Sequence, residues 1–352
     1  MRRENTVENS RPSRLTRREF LLGSAATALP LLGLSSCSGG GSGGEALQVG
    51  GLPVTCNLTI PVACSARAAE NAARGATAFR YEYSKYSGWP EIKESLMAGR
   101  IQAAYMLAPL VMDLAARKIP VKIVSLGHRS GAVIMVRSES PVQHFKELAG
   151  KRVAIPSRFA VDFLFLRKML ALEHMTPDEL QIVEMPPPDM PAALYANAVD
   201  AYCTGEPFGA AAQSAGYARP LRMTRDEWRN YICCVLTVRE ELIASNRPLV
   251  QDLVNHVLGA GVWLDSDPAH RDKAVRLAAA KDYFNQDPKI LEFVMQNPTD
   301  RVTYGDLRMI REEFEELMQL SIEAGTIKQP IPYETYMDES FSKAASPAAI
   351  AL

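Results

Sequence analysis

The chain has 352 residues, with 40 acidic and 39 basic side chains and a formal net charge of −1. This balance gives no electrostatic reason to expect a nucleic-acid partner. The length exceeds that of one typical domain core, so two lobes are expected. The six cysteines form no CxxC pair and do not indicate a disulfide scaffold. We expect the five that follow Cys37 to be small apolar residues of the interior.

Residues 1–37 are predicted to be an export signal. Arg17 and Arg18 precede an apolar run that is shorter than the about 20 residues of a membrane-spanning helix. A basic lead, a short apolar stretch and small residues before a cleavage point are typical of a signal that is removed. The stretch "TRREFL" resembles the twin-arginine export motif, and "LSSC" resembles the bacterial lipobox. The alternative is a buried helix with an incidental cysteine.

The lipobox resemblance implies that Cys37 is lipidated and becomes the first residue of the mature protein. Residues 38–45 are rich in glycine and are typical of a flexible tether. They do not match a phosphate-binding loop, because no Lys-Ser or Lys-Thr pair follows the glycines. We therefore expect the protein in the periplasm or at the outer face of the cytoplasmic membrane, anchored by its N-terminal lipid.

From residue 46 onward, short strand patterns alternate with helical patterns, which is typical of α/β proteins. Pro90 and Pro109 each mark the first turn of a predicted helix, where a missing N–H has no cost. After Arg239 the chain is predicted to be helical, with one amphipathic helix within residues 304–325. The predicted strands lie at residues 46–54, 77–84, 101–108, 121–127, 131–137, 152–156, 181–186, 200–205 and 231–238.

Ligands of α/β folds bind beyond the C-terminal ends of strands, where loops lead into helices. This rule selects the loops around Thr55, Trp89, Ala108, Ser157 and Glu206. Arg158 follows Ser157 at a predicted helix start, where free N–H groups and the helix dipole favour an anion. The sequence has no Walker loop, no GxGxxG after a strand, no GxSxG and no Cys/His metal spacing. These absences favour a binding protein over an enzyme.

Three stretches resemble the nitrate, sulfonate and bicarbonate family of solute-binding proteins. "GRIQAAYMLAPLVMDLA" at residues 99–115 and "EMPPPDMPAALYANAVDAYCTGEPF" at residues 184–208 are similar to family segments. Trp89 matches a tryptophan that family members place beside their ligand. The resemblance extends over most of residues 46–330. It implies an α/β fold of the type II periplasmic-binding-protein class, in which two crossover strands join two lobes and the ligand cleft lies between the lobes.

The resemblance also implies how the chain is divided and what it does. Lobe one would comprise residues 46–134 with 236–352, and lobe two residues 135–235. The implied function is that of an extracytoplasmic, monomeric lipoprotein that captures a small anion or related solute. It would deliver this solute to the permease subunits of an ABC importer, which a separate ATPase drives. The alternatives are an enzyme of the pyrimidine or menaquinone pathway type on the same fold, and a ligand-sensing regulator.

The predicted ligand site departs from the family at several positions. Cys56 follows Thr55 where relatives often have an acidic residue, and Arg158 lies in a loop where relatives commonly have a histidine. Phe208 replaces a tryptophan. The structural alternatives are an ordinary turn for Thr55, core packing for Trp89 and a solvated charge for Arg158. The ligand therefore need not be one of the anions after which the family is named.

Glu206 is the most informative of the predicted positions. A carboxylate in a cleft repels a bare anion unless a cation or a proton neutralises it. A calcium ion bound together with the solute at Glu206 is therefore the one metal considered, and no other metal or cofactor is expected. The alternative is a structural carboxylate that accepts hydrogen bonds from backbone amides.

Overall fold

The computed structural model describes residues 46–75 and 79–352. The predicted export signal and tether, residues 1–45, lie outside the described residues. The strands of the described part are β1 (Leu47–Gly51), β2 (Tyr81–Lys85), β3 (Ala103–Leu107), β4 (Val121–Leu126), β5 (Arg129–Ser130), β6 (Ala132–Arg137), β7 (Arg152–Ile155), β8 (Gln181–Glu184), β9 (Ala201–Gly205), β10 (Ala218–Met223), β11 (Cys234–Arg239) and β12 (Val302–Thr303).

Helices follow most of the strands and are the main elements of the last third of the chain. They are α1 (Thr59–Arg74), α2 (Trp89–Met97), α3 (Ala108–Ala116), α4 (Val161–Leu172), α5 (Met190–Tyr195), α6 (Phe208–Ser214), α7 (Thr224–Glu227), α8 (Glu240–Ser245), α9 (Arg247–Ser266), α10 (Pro268–Ala279), α11 (Pro288–Gln296), α12 (Arg311–Glu323), α13 (Tyr333–Tyr336) and α14 (Ser340–Lys343). No helix in the described ranges has the length and apolar character needed to cross a bilayer.

The long strands form two five-stranded sheets. The first has the order β2-β1-β3-β11-β4 and the second the order β10-β6-β9-β7-β8. In the first sheet β1 is parallel to β2 and β3, whereas β11 is antiparallel to β3 and β4. All five residues of β3 are buried, as expected of a central strand that is covered on both faces. The predicted α/β class is confirmed.

The chain passes between the sheets twice. It leaves the first sheet after β4, enters the second at β6 and returns to the first at β11. The two connecting segments are residues 127–131 and residues 224–233. In the second sheet β7 is parallel to β8 and β9, and β6 is antiparallel to β9 and β10. The lobe limits given above, 46–134 with 236–352 and 135–235, stay a prediction.

The predicted elements are wrong in several details, and they do not include the short strands β5 and β12. Strand β10 was not predicted. It is an edge strand in which arginines and a proline interrupt the apolar residues, so its sequence lacks a clear strand pattern. The amphipathic helix predicted within residues 304–325 begins only at Arg311. The preceding backbone is engaged elsewhere, since Arg129 donates hydrogen bonds to the carbonyl oxygens of Asp306 and Arg308.

A buried ion pair joins the end of the second sheet to the C-terminal third of the chain. Arg301 Nε lies 2.6 Å from Glu206 Oε1, and neither side chain is more than 2% exposed. The other carboxylate oxygen of Glu206 accepts a hydrogen bond from the backbone N–H of Ala210, at 2.8 Å. Arg301 also donates to the carbonyl oxygen of Asn297 and to the side chain of Gln213. These contacts agree with the structural alternative for Glu206.

Glu206→Gln should therefore lower the free energy of unfolding by about 3 kcal/mol, because it leaves the buried guanidinium of Arg301 without a counter-charge. Urea unfolding followed by circular dichroism measures the change. Glu316→Gln is the matched control, since Glu316 pairs with Lys168 at 3.0 Å in a partly exposed position. The control should lose no more than about 1 kcal/mol. Equal losses in both variants would contradict the structural role of Glu206.

Candidate functional site

A pocket of about 420 Å³ lies between elements that follow strands of the two sheets. One wall comes from α2 and α3, which follow β2 and β3. The other comes from the segments that follow β7 and β8. Its apolar lining includes Trp89, Met97, Leu110, Leu114, Phe159 and Met185. A second depression of about 400 Å³ lies between α4 and α12 and touches no strand end. Position thus favours the first pocket as the ligand site.

Trp89 and Ser157 face this pocket from opposite sides. Trp89 is the first residue of α2, and Pro90 behind it suits the first helical turn. Ser157 follows β7, and its hydroxyl accepts a hydrogen bond from the backbone N–H of Phe159, at 3.1 Å. The indole is largely buried, with 7% of the residue exposed. The structure therefore brings together two of the predicted site residues, one from each sheet.

The charged groups around the pocket are paired. Arg117 Nε lies 2.9 Å from Asp113 Oδ2 on α3, and Lys93 Nζ lies 3.2 Å from Glu94 Oε1 on α2. Arg158, predicted to contact an anion, is not among the residues that line the pocket. Its guanidinium lies 3.3 Å from the carboxylate of Glu184, which does line it, and is about half exposed. These groups therefore include no unpaired cation to which an inorganic anion could bind. The pocket is instead an apolar cavity with a polar rim.

The other three predicted residues lie in a buried junction and do not line the pocket. The backbone carbonyl of Glu206 accepts two hydrogen bonds from Thr55, one from its N–H and one from its hydroxyl, both at 3.0 Å. The first N–H of α3, that of Ala108, donates to the carbonyl of Cys233 at 3.1 Å. Thr55, Ala108 and Glu206 are all fully buried. The Thr55 contacts join the two sheets, whereas the Ala108 contact continues the pairing of β3 with β11 in the first sheet.

Beside this junction lies a cluster of sulfur and nitrogen atoms. One potential ligand atom from each of Cys56, His128, Cys233 and Cys234 lies within 4.8 Å of the other three. All four side chains are buried, and the cysteines are free thiols. Hydrogen bonds from Cys233 and Cys234 lower the pKa of Cys56 to about 6, against the opposing effect of burial. This group could hold a metal ion.

Neither the role of Arg301 nor the thiol cluster could be recognised from the sequence. Arg301 is 95 residues from its partner Glu206 and has no motif around it. The four cluster residues come from three distant segments, so no metal-binding spacing could be recognised. The sequence predicts small interior residues at Cys56, Cys233 and Cys234. This prediction accounts for their burial, but it does not anticipate that the three thiols lie close to one another. The adjacent pair Cys233-Cys234, next to a crossover, was the one available signal.

The comparisons with known proteins agree with this architecture. The model of the NMT1-like family matches residues 40–279. The nitrate/nitrite binding protein NrtA of Synechococcus elongatus is 23% identical over 346 residues, which cover 85% of this chain and 77% of the relative. The ligand-binding component of an ABC-type import system from Staphylococcus aureus, solved with zinc bound, is 25% identical. It aligns over 86% of this chain and 100% of its own, with a TM-score of 0.76.

Two further solved structures share the fold at lower identity. The periplasmic nitrate-binding protein NrtA from Synechocystis PCC 6803 aligns over 85% of this chain and 87% of its own, with 16% identity and a TM-score of 0.72. The desulfurization enzyme DSZB aligns over 85% and 98%, with 18% identity and a TM-score of 0.62. The predicted two-lobe binding-protein fold is confirmed. The family match covers more than half of the sequence, and the chain therefore belongs to the NMT1-like family.

Proposed function

We propose that this protein is the solute-binding component of an ABC importer. The observation that carries the proposal is the pocket between the strand ends of the two sheets, with Trp89 and Ser157 on opposite walls. In α/β folds this is the position where ligands bind. The NrtA relative is a nitrate/nitrite binding protein, and the Staphylococcus aureus neighbour is a component of an ABC-type import system. Both support capture of a small solute for an importer. That the protein acts as a monomer and delivers its solute to permease subunits driven by a separate ATPase stays a prediction.

The pocket favours a particular kind of solute. Its volume of about 420 Å³ is within the range of organic-ligand sites and far exceeds what a four-atom anion fills. Its lining is largely apolar, and the ionic groups at its rim are already paired. We therefore favour a solute with a small polar head and an apolar body, such as an alkyl sulfonate. Its head group would be held by hydrogen bonds, from the indole N–H of Trp89 and the hydroxyl of Ser157, and not by an ion pair with a lone cation. Calcium dependence stays a prediction that finds no support at Glu206, whose two oxygens already have partners.

An enzyme on the same fold is the alternative. The fold alone does not separate the two classes, because the desulfurization enzyme DSZB shares it. Two observations favour binding: the relative named above is a binding protein, and the described residues that line the Trp89 pocket include no paired nucleophile and base. Cys56 and His128 do lie near each other, but both are buried away from this pocket. An assay for turnover of any solute that binds distinguishes the two functions.

Trp89→Ala should weaken solute binding by about tenfold or more, because a buried indole wall contributes at least the 1.4 kcal/mol that corresponds to this factor. Isothermal titration with the best solute from an alkyl sulfonate series measures it. Trp263→Ala is the matched control, since Trp263 is buried to a similar extent on α9 and lies outside the pocket. The control should lose stability but keep its affinity. Unchanged affinity in Trp89→Ala would show that the solute binds elsewhere.

We also propose that the protein is exported by the twin-arginine route and anchored by a lipid at Cys37. The support is the sequence of residues 16–37, with its arginine pair and its "LSSC" end. The periplasmic NrtA neighbour supports an extracytoplasmic location. The glycine-rich residues 38–45 would let the folded part reach a permease while the lipid stays in the membrane.

Cys37→Ser should move the protein from the membrane fraction to the soluble fraction, because the lipid chains attached at this cysteine are the proposed anchor and are lost. Fractionation followed by immunoblotting measures the distribution. The double variant Arg17→Lys, Arg18→Lys is the control for the route and should remain inside the cell with its signal uncleaved. A Cys37→Ser variant that still sediments with membranes would contradict lipid anchoring.

A further inference from the structure

The buried thiol cluster joins three separate parts of the chain. Cys56 belongs to the turn after β1, and His128 lies in the first segment that connects the two sheets. Cys233 ends the second connecting segment, and Cys234 begins β11. A bond network centred on these residues would therefore tie the first sheet to both crossovers. None of the four residues lines the Trp89 pocket. The cluster is thus a separate feature from the proposed solute site.

The distances within the cluster suit a four-coordinate metal ion. Cys233 Sγ and Cys234 Sγ are 3.7 Å apart. Two thiolates bound to one zinc ion at about 2.3 Å in a tetrahedron are about 3.8 Å apart. The candidate atoms of all four residues lie within 4.8 Å of one another, so small side-chain rotations suffice to complete the tetrahedron. The donor set of three sulfurs and one imidazole nitrogen is one that structural zinc sites use.

The backbone fixes the cluster in place. The N–H of Gly127 donates to the carbonyl of Cys234 at 3.0 Å, which holds the next residue, His128, beside the cysteines. A Cβ at position 127 would lie 2.7 Å from the Tyr105 ring, so the backbone can pass this close to the ring only with glycine at that position. On the opposite side, a Cβ at Gly205 would lie 3.2 Å from Cys56 Sγ. The end of β9 thus covers the cluster.

His128 has one ring nitrogen without a hydrogen-bond partner in the described part of the chain, although its side chain also contacts the Cys233 thiol. Its side chain is fully buried, and its Nδ1 has no hydrogen-bond partner among the described residues. Its Nε2 lies 3.5 Å from the backbone nitrogen of Cys234, which is a weak contact at best. Buried polar atoms are nearly always satisfied. A metal ion bound through the imidazole accounts for this histidine.

We propose that Cys56, His128, Cys233 and Cys234 bind one thiophilic metal ion with a filled d shell, either Zn²⁺ or Cu⁺. Thiolate and imidazole ligands select these ions, whereas Ca²⁺ requires oxygen ligands. Binding releases the thiol protons to solvent as the metal–sulfur bonds form. Four protein ligands leave no open coordination position, so the ion is a resident structural cross-link and takes no direct part in binding the solute.

The test starts with the full chain purified without oxygen. Elemental analysis by inductively coupled plasma mass spectrometry should find one metal ion per chain. When the metal-stripped protein is titrated with Zn²⁺, it should again bind one ion per chain. Replacement by Co²⁺ should produce thiolate-to-metal charge-transfer absorption and the intense d–d bands of tetrahedral cobalt. A parallel titration with Cu⁺ against a chromophoric chelator decides which of the two ions is preferred. Either preference supports the proposal.

Cys56→Ser should weaken metal binding by more than about a hundredfold, because loss of a ligand exceeds the 10–100-fold effect of losing an outer-shell partner. Cys64→Ser is the matched control, since Cys64 is a buried thiol on α1 outside the cluster. The control should bind metal like the unchanged protein. His128→Gln provides a second cluster variant, and the cobalt spectrum of the unchanged chain stands even if both cluster variants fail to fold.

Three outcomes would overturn the proposal. The first is a purified protein that takes up neither Zn²⁺ nor Cu⁺ at one ion per chain. The second is a cobalt spectrum without thiolate bands. The third is a metal-free protein, as isolated, with a disulfide between Cys233 and Cys234. None of these outcomes affects solute binding in the Trp89 pocket, so the two proposals fail independently.

Discussion

The two hydrogen bonds from Thr55 to the backbone carbonyl of Glu206 are the contact on which the arrangement of the two sheets depends. They join the turn after β1 to the end of β9, so the ligand-facing edges of both sheets meet at one buried point. Arg301 neutralises the carboxylate of the same glutamate and ties it to the C-terminal third of the chain. Because an unpaired buried charge is costly, this glutamate fixes the geometry around it.

Two regions with different chemistry lie on either side of the contact between the sheets. The pocket of Trp89 and Ser157 is apolar with a neutralised rim, which suits reversible capture of a small solute. The cluster around Cys56 is buried, and its sulfur and imidazole atoms are soft ligands, which suits a permanently bound metal ion. The proposed twin-arginine route carries folded proteins, so such an ion could be inserted in the cytoplasm before export. The proposed export route is therefore compatible with a metal ion bound to the buried thiols.

Much of the fold could be predicted, because strand and helix periodicities are local. The loops around Thr55, Trp89, Ala108, Ser157 and Glu206 do follow strands of the two sheets. Which of them share a cavity could not be predicted, since this depends on how the two sheets meet. The sequence also could not reveal that Arg301 pairs with Glu206 across 95 residues. The cluster escaped notice for the same reason, because its ligands carry no common spacing.

A thermal-shift screen tests the central claim, that the Trp89 pocket captures a small solute, most directly. The panel contains alkyl sulfonates, nitrate, nitrite, bicarbonate with and without calcium, and pyrimidines. We predict that an alkyl sulfonate raises the melting temperature of the unchanged protein. At 100 times its Kd, a ligand adds about 2.7 kcal/mol to the free energy of unfolding. No stabilisation by any member of the panel, or an equal shift in Trp89→Ala, would contradict the claim.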